Sequence, residues 1–269
     1  MPNLLYAFII GIVQGISEWL PISSKTQVLF ASKILLGFAP ASAYAFGLFM
    51  EVGSLFSAIF YFRREIIQVL HDTKMLVYLL VLTLVTGVVA VPLYVITDRL
   101  LLQAYNLGIP MILLGAFLIA DGLYRRYSRA LLRTGTIEQL GMKQYLIVGA
   151  AQGLSALPGV SRSGMTVSTL LFMGLNPKDA FKLSYIAYIP ASIGGFLTTI
   201  VFTRSELTTA LPALGTSGLG LAILTAAVVG VLTISGLLGF AKRSDIYKVT
   251  VFLGAIAIVI GLLAAIGSL

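Results

Sequence analysis

Six apolar runs, each long enough to cross a hydrocarbon core of ~30 Å as a helix of about 20 residues, fix what this 269-residue chain can become. They fall near 43–62, 75–97, 107–124, 183–203, 215–240 and 248–267. With 58% hydrophobic residues, 10% charged residues and a mean hydropathy of +1.01, a membrane protein is the one class that fits. No soluble core needs so much apolar surface. The expected fold class is an all-α polytopic membrane protein.

Two further apolar segments, 3–36 and 144–175, are each broken at the centre by Pro, Ser and a cation. Their arms are too short to cross, so each reads as a re-entrant helical hairpin. Irregular backbone at that depth survives only where protein or a water-filled cavity satisfies its amides, so both tips are expected to face a shared interior. The two segments also spell nearly the same message. Gly11-Ile12-Val13-Gln14-Gly15-Ile16-Ser17 leads to Leu20-Pro21, and Gly149-Ala150-Ala151-Gln152-Gly153-Leu154-Ser155 leads to Leu157-Pro158. Beyond the motif the register pairs Pro21 with Pro158, Ser24 with Ser161, Gly37 with Gly174 and Pro40 with Pro177, a spacing of 137. The chain therefore reads as one membrane domain made of two halves, 1–137 and 138–269. Three spans separate the hairpins, an odd number, so the second enters from the opposite face and the repeat is inverted. In membrane proteins, Gly/Pro-broken apolar segments at matching places in two halves point to the binding site.

The cations sort by loop. Placing Arg63, Arg64, Lys74, Arg125, Arg126, Arg129, Arg133, Lys143, Lys178, Lys182, Lys242, Arg243 and Lys248 on one face gives it 13 of the 18 Lys and Arg residues, against Arg99 and Arg204 opposite. By the positive-inside rule the crowded face is cytoplasmic and both termini lie outside. The net charge of +8 thus reports topology, with no nucleic-acid partner implied. Cysteine is absent, which removes disulfides and thiolate metal sites. The single histidine, His71, falls in the polar turn 63–74 and reads as a surface residue. Residues 4–20 lack a basic leader and contain Gln14 and Glu18, so they are expected to stay in the mature protein.

Charges inside the bilayer cost about 2.5–3.5 kcal/mol each on insertion scales, so each needs a partner or a task. Glu18, Lys25, Lys33, Glu51 and Arg162 stand deep in apolar runs. Their sum of +1 suits an anionic ligand. Mutual neutralisation, with Glu18 or Glu51 pairing Arg162 to hold the fold, is the structural alternative. The second tip runs Pro158-Gly159-Val160-Ser161-Arg162-Ser163-Gly164-Met165-Thr166. Its glycines allow close approach, Ser161, Ser163 and Thr166 offer hydroxyls, and Arg162 presents a planar fork that matches phosphate oxygens. A helix restarting after Gly164 is expected to aim its N-terminal dipole at the same place. The first tip supplies Glu18, Ser23, Ser24, Lys25 and Gln27: a carboxylate, hydroxyls and a cation, the parts of a nucleophile or water beside a general base. Gln14 precedes Glu18 by four residues and shares its helical face. Glu51 is expected to be a second metal carboxylate or the partner of Lys33. Tyr185 and Tyr188 read as core.

At these residues the chain resembles the undecaprenyl pyrophosphate phosphatase family, the integral-membrane enzymes of bacitracin resistance, along essentially its whole length. The family's first motif, an acidic residue or Gln followed by Gly-x-Thr-Glu-Phe-Leu-Pro-x-Ser-Ser-x-Gly-His, is met by Gln14, Gly15, Ser17, Glu18, Trp19, Leu20, Pro21, Ser23 and Ser24. Its second, Pro-Gly-x-Ser-Arg-Ser-Gly-x-Thr, is met throughout 158–166. The resemblance implies six transmembrane helices plus two re-entrant helical hairpins, and hydrolysis of undecaprenyl diphosphate to the monophosphate at the outer face of the cell membrane. It also implies recycling of the lipid carrier, a divalent cation (Mg²⁺ or Ca²⁺) and a homodimer. By position, Arg162, Ser161 and Ser163 would hold the pyrophosphate, Glu18 would bind metal or act as base, and Ser24 would be a candidate nucleophile. Thr26-Gln27 replaces the family's Gly-His, so a mechanism through that histidine is closed to this chain. Ser24 or a metal-activated water must attack with Glu18 as base, while Lys25 or Arg162 stabilises the phosphoryl oxygens. The competing reading is a polyprenyl-phosphate binding protein or transporter that keeps the inverted frame without hydrolysis. An ion channel or exchanger fits less well, because the tips are built for an anion with several oxygens.

Overall fold

The computed structural model describes residues 4–100, 108–127, 135–157, 159–243 and 246–266. Pro158 of the second motif and the loop cations Arg129 and Arg133 lie outside the described residues. Among the described residues twelve α-helices follow in order: α1 (Leu4–Ser17), α2 (Ser24–Leu36), α3 (Pro40–Tyr61), α4 (Arg63–His71), α5 (Thr73–Leu100), α6 (Gly108–Tyr127), α7 (Met142–Gly153), α8 (Arg162–Phe172), α9 (Pro177–Phe202), α10 (Arg204–Ala210), α11 (Gly215–Arg243) and α12 (Ile246–Ile266). Helices α3, α5, α9, α11 and α12 are long and apolar enough to cross a bilayer. The sixth expected span coincides with α6, 20 residues packed lengthwise on α12. The protein is an all-α polytopic membrane protein.

Both broken segments stop and restart for local reasons. Helix α1 ends at Ser17, ahead of Pro21, and α2 begins after Ser23, whose φ of 53° is the left-handed region a non-glycine residue rarely enters. Helix α7 ends at Gly153, and α8 starts at Arg162 because the Ser161 hydroxyl accepts the Gly164 amide at 3.1 Å, an N-cap. The helix therefore begins two residues before Gly164, not after it, and Gly164 lies inside the first turn. The arms hold 14, 13, 12 and 11 residues. At 1.5 Å per residue each is about 16–21 Å long, short of a ~30 Å crossing.

Three boundaries depart from the sequence reading. Helix α9 starts at Pro177 rather than near 183, because Asn176 accepts the Asp179 amide at 3.0 Å and proline sits at the first helical position. The polar turn around His71 is a helix, α4: Ile66 and Val69 pack on the core while Arg63, Arg64 and His71 stay exposed. The short α10 follows α9 and buries Leu207 and Ala210.

Glycine sets the close helix contacts. A methyl at Gly11 would lie 2.6 Å from the Ala222 carbonyl oxygen, and one at Gly15 2.8 Å from Val229 Cβ, so α1 lies directly on α11. A methyl at Gly149 would lie 2.6 Å from the Leu82 oxygen and one at Gly153 2.5 Å from Val89 Cβ, so α7 lies on α5 in the same way. Small residues are what bring membrane helices together, since lipid is as apolar as leucine. Between these pairs the core closes around Trp19, which meets Tyr185 and Tyr188 edge-on at 4.9 and 5.2 Å. Leu84, Val88, Leu232 and Ile266 are exposed, as a lipid-facing surface requires.

Candidate functional site: a carboxylate shared between two tips

The two tips are tied together by hydroxyls. Ser163 Oγ donates to the Leu20 carbonyl at 2.8 Å and Ser161 Oγ to the same oxygen at 3.2 Å, while Tyr185 donates to the Trp19 carbonyl at 2.9 Å. With the Ile22 amide, which the Leu20 oxygen also accepts at 2.9 Å, these bonds satisfy the carbonyls of the break between α1 and α2.

Glu18 sits at that junction. Its Oε2 accepts Ser24 Oγ at 2.6 Å and Gln14 Nε2 at 2.9 Å, and its Oε1 accepts Arg162 Nη2 at 3.2 Å. Gln14 reaches it because four residues of helix separate the two, and its amide also donates to Ser54 Oγ on α3 at 3.0 Å. Arg162 is anchored further by Nη1 to the Ser184 carbonyl at 3.3 Å and by its guanidinium lying 4.1 Å from the Tyr188 ring centroid. Its Nε, buried, meets no acceptor among the described residues.

A second ion pair stands beside the first. Lys25 Nζ lies 3.7 Å from Glu51 Oε1 and donates to the Ser155 carbonyl at 3.2 Å; Tyr188 donates to the Glu51 carbonyl at 3.0 Å. Glu18, Glu51 and Arg162 are only 5%, 8% and 9% exposed. Two carboxylates against two cations leave the site neutral. Lys33 is not among them: it stands half-buried on the last turn of α2, and the partner of Glu51 is Lys25 instead.

Lys25, Glu51 and Arg162 share the wall of a cavity of about 160 Å³ with Tyr188, Gln152, Ser155 and Ser192. That is room for a hydrated ion or a phosphate group. Glu18 and Ser24 do not line this cavity; Glu18 joins it through Arg162, and Ser24 through Glu18. The hydroxyls expected to hold phosphate are placed elsewhere. Ser161 and Ser163 tie the tips, Thr166 bonds the Arg162 carbonyl at 3.0 Å and the Ser184 hydroxyl, and Ser23 pairs with Thr26 at 3.1 Å. Gly164 packs under Leu114 and Pro21, and Gln27 donates to the Ile22 carbonyl at 3.0 Å, bracing the first tip. Of the expected set, the structure brings together Glu18, Ser24, Arg162, Lys25, Glu51 and Gln14.

Sequence reasoning passed over Tyr188, Ser184 and Gln152 as site residues. Ser184 and Tyr188 are one helical turn apart on α9 and so meet Arg162 together. Gln152 is the repeat counterpart of Gln14, which was the signal available for it.

Among the described residues no three His, Cys, Asp or Glu side chains cluster around one point, so any divalent cation would rest on two carboxylates and neutral oxygens. The carboxylates are those of Glu18 and Glu51, and the neutral oxygen is Gln14 Oε1, buried without a donor among the described residues on the side chain whose amide meets Glu18.

Fold and site together define a polytopic helical membrane protein with a charged, hydroxyl-bearing site enclosed between two broken segments. The chain belongs to the bacitracin resistance protein BacA family, whose model matches residues 7–263. It is 55% identical over 261 residues to the undecaprenyl-diphosphatase of Sulfurisphaera tokodaii, covering 97% of this chain and 98% of that protein. It is 52% identical over 264 residues to the undecaprenyl-diphosphatase of Saccharolobus islandicus (98% and 99% covered). A relative of the same name from Pyrobaculum islandicum is 38% identical over 267 residues, with 97% of each chain covered.

Proposed function

We propose that this protein is a membrane phosphatase that hydrolyses undecaprenyl diphosphate, or a related polyprenyl diphosphate, to the monophosphate and inorganic phosphate. The observation that carries the reading is the Glu18 carboxylate, which accepts the Ser24 hydroxyl on one oxygen and the Arg162 guanidinium on the other. The relatives named undecaprenyl-diphosphatase support the substrate class.

Ser24 is the nucleophile, and since it stands off the cavity wall the terminal phosphate must pass between Lys25 and Arg162 to reach its Oγ. Its Oγ forms a bond to the terminal phosphorus as the anhydride P–O bond breaks, and its proton passes to Glu18 Oε2 and on to the departing prenyl monophosphate. Water then attacks the phosphoserine; Glu18 takes the proton of that water and returns one to Ser24 Oγ as inorganic phosphate leaves. Arg162 and Lys25 face the phosphoryl oxygens, where fixed cations in a water-poor site stabilise developing charge. A divalent cation held by Glu18, Glu51 and Gln14 would neutralise the diphosphate and polarise its oxygens. The balanced charges of the site support that addition, since a diphosphate brings more negative charge than Lys25 and Arg162 can balance while paired with carboxylates.

The same proposal includes the frame. Helices α1–α2 and α7–α8 are re-entrant hairpins, and the matched packing of α1 on α11 and α7 on α5 supports an inverted repeat of 1–137 and 138–269. Both termini lie outside, the site opens to the outer face of the cell membrane, and the chain forms a homodimer. Purified protein given polyprenyl diphosphate with Mg²⁺ or Ca²⁺ should release phosphate, and Glu18→Ala, Ser24→Ala and Arg162→Ala should each abolish release. Unchanged turnover in Arg162→Ala would remove the phosphate-gripping role. Tight lipid binding without any release from the unmodified protein would favour the transporter.

A further inference from the structure

The charged cavity does not end at its polar wall. A second cavity of about 150 Å³ runs between α4, α5 and α9, lined by Val69, Leu76, Leu80 and Ile189 among other apolar side chains. Thr83 and Pro190 line both cavities, so the two adjoin at one waist. The Thr83 hydroxyl is engaged with the Leu79 carbonyl at 2.8 Å and offers the passage nothing polar. Pro190 sits inside α9, where it removes a backbone donor and loosens the helix. On the polar side, methyls built at Gly87 and Gly194 would meet nothing within 4 Å, so α5 and α9 stand apart there.

A chamber that carries two cations on its wall and adjoins, across Thr83 and Pro190, a groove lined by apolar side chains has the shape of an amphiphile. We propose that this groove holds the head-proximal isoprene units of the substrate whose diphosphate lies against Arg162 and Lys25. The inference rests on the phosphatase reading and extends it to what selects a prenyl tail. The groove follows α5 over 76–83, about 10 Å at 1.5 Å per residue, so it grips the start of the tail and leaves the rest to lipid. Remote apolar contacts of this kind position the reacting group, and substrates that lack them lose turnover as well as affinity.

The test compares undecaprenyl diphosphate with dimethylallyl diphosphate, whose tail is too short to fill the groove. In Leu80→Trp and Val69→Trp the ratio of kcat/KM for the long over the short substrate should fall roughly tenfold, the scale on which an apolar pocket discriminates. Leu84→Trp, on the 69%-exposed lipid face of α5 and in neither cavity, should keep the wild-type ratio. A wild-type ratio in both groove variants, or an equal fall in Leu84→Trp, would overturn the groove. A prenyl diphosphate carrying a diazirine on its first isoprene unit should label unmodified protein within 76–83 or 186–190. Phosphate release with the label elsewhere removes the groove and leaves the phosphatase; label in the groove with no release removes the phosphatase and leaves a lipid-binding site.

Discussion

Lys25 and Arg162, 137 residues apart, occupy matching places: each stands in the first turn of the helix that leaves a broken tip, and each is paired with a carboxylate from another element, Glu51 on α3 and Glu18 after α1. The cations are repeated and the carboxylates are not. At the register of 137 the counterpart of Glu51 is Tyr188, whose ring lies against Arg162 and whose hydroxyl bonds the Glu51 carbonyl. A duplicated frame thus supplies two cations, while one half adds acid and the other an aromatic face.

Glu18 is the member without which neither proton transfer nor charge balance survives. Glu18→Gln keeps the shape and removes the charge and the basicity. Phosphate release should drop by about 10²–10⁴-fold, the range for a lost general base. The melting temperature in detergent should fall too, because breaking one partner from a buried pair costs about 3–5 kcal/mol. A Glu18→Gln protein turning over at the wild-type rate would show that another group moves the proton.

Tyr188 holds Arg162 through its ring and Glu51 through its hydroxyl, and two substitutions separate these. Tyr188→Phe keeps the ring and loses one buried hydrogen bond, a change of about 1 kcal/mol in stability. Tyr188→Leu also loses the cation–π contact, about 2 kcal/mol when desolvated. The leucine variant should therefore raise KM roughly tenfold with a smaller change in kcat, and the phenylalanine variant should stay near wild type in KM. Steady-state kinetics of both, beside thermal melts, decide it; equal KM values would mean the ring does not position the guanidinium.

Metal dependence follows from the charge count. Chelator should stop phosphate release and Mg²⁺ or Ca²⁺ should restore it. Glu51→Gln should raise the metal concentration for half-maximal activity by about 10–100-fold, as loss of one supporting oxygen does. Full activity in chelator would assign the charge balance to Lys25 and Arg162 alone.

The helical frame was legible because lipid enforces it. Apolar length marks the spans, Pro and Ser mark the breaks, and the matched Gly37 and Gly174, both at positive φ, close α2 and α8. The caps were legible in kind but not in use. Asn176-Pro177 starts α9 early, and Ser161 caps α8 rather than facing the cavity, because a hydroxyl bonds whichever buried group is nearest and sequence does not say which carbonyl that is. Lys33 looked as deep as Lys25, yet one stands two turns farther along α2. Depth in a hydrophobic run does not fix which face of the helix carries the charge, and only packing against α3 does.

The packing of α7 on α5 gives the last test, on the frame itself. At Gly149 a methyl would stand 2.6 Å from the Leu82 carbonyl oxygen and 3.0 Å from Val85 Cβ, backbone and a stiff β-branched side chain that cannot step aside. At Gly220, on α11, a methyl meets nothing within 4 Å. Gly149→Ala should thus destabilise by about 1–3 kcal/mol, the range for overpacking. Because α7 leads to the second tip, it should also shift Arg162 and lower activity. Gly220→Ala should leave activity intact and hold or raise stability by up to about 1 kcal/mol, since alanine is the better helix former. Melts in one detergent, with phosphate release measured beside them, separate the two; equal behaviour of the pair would mean that the close contact of α7 with α5 does not hold the second tip in place.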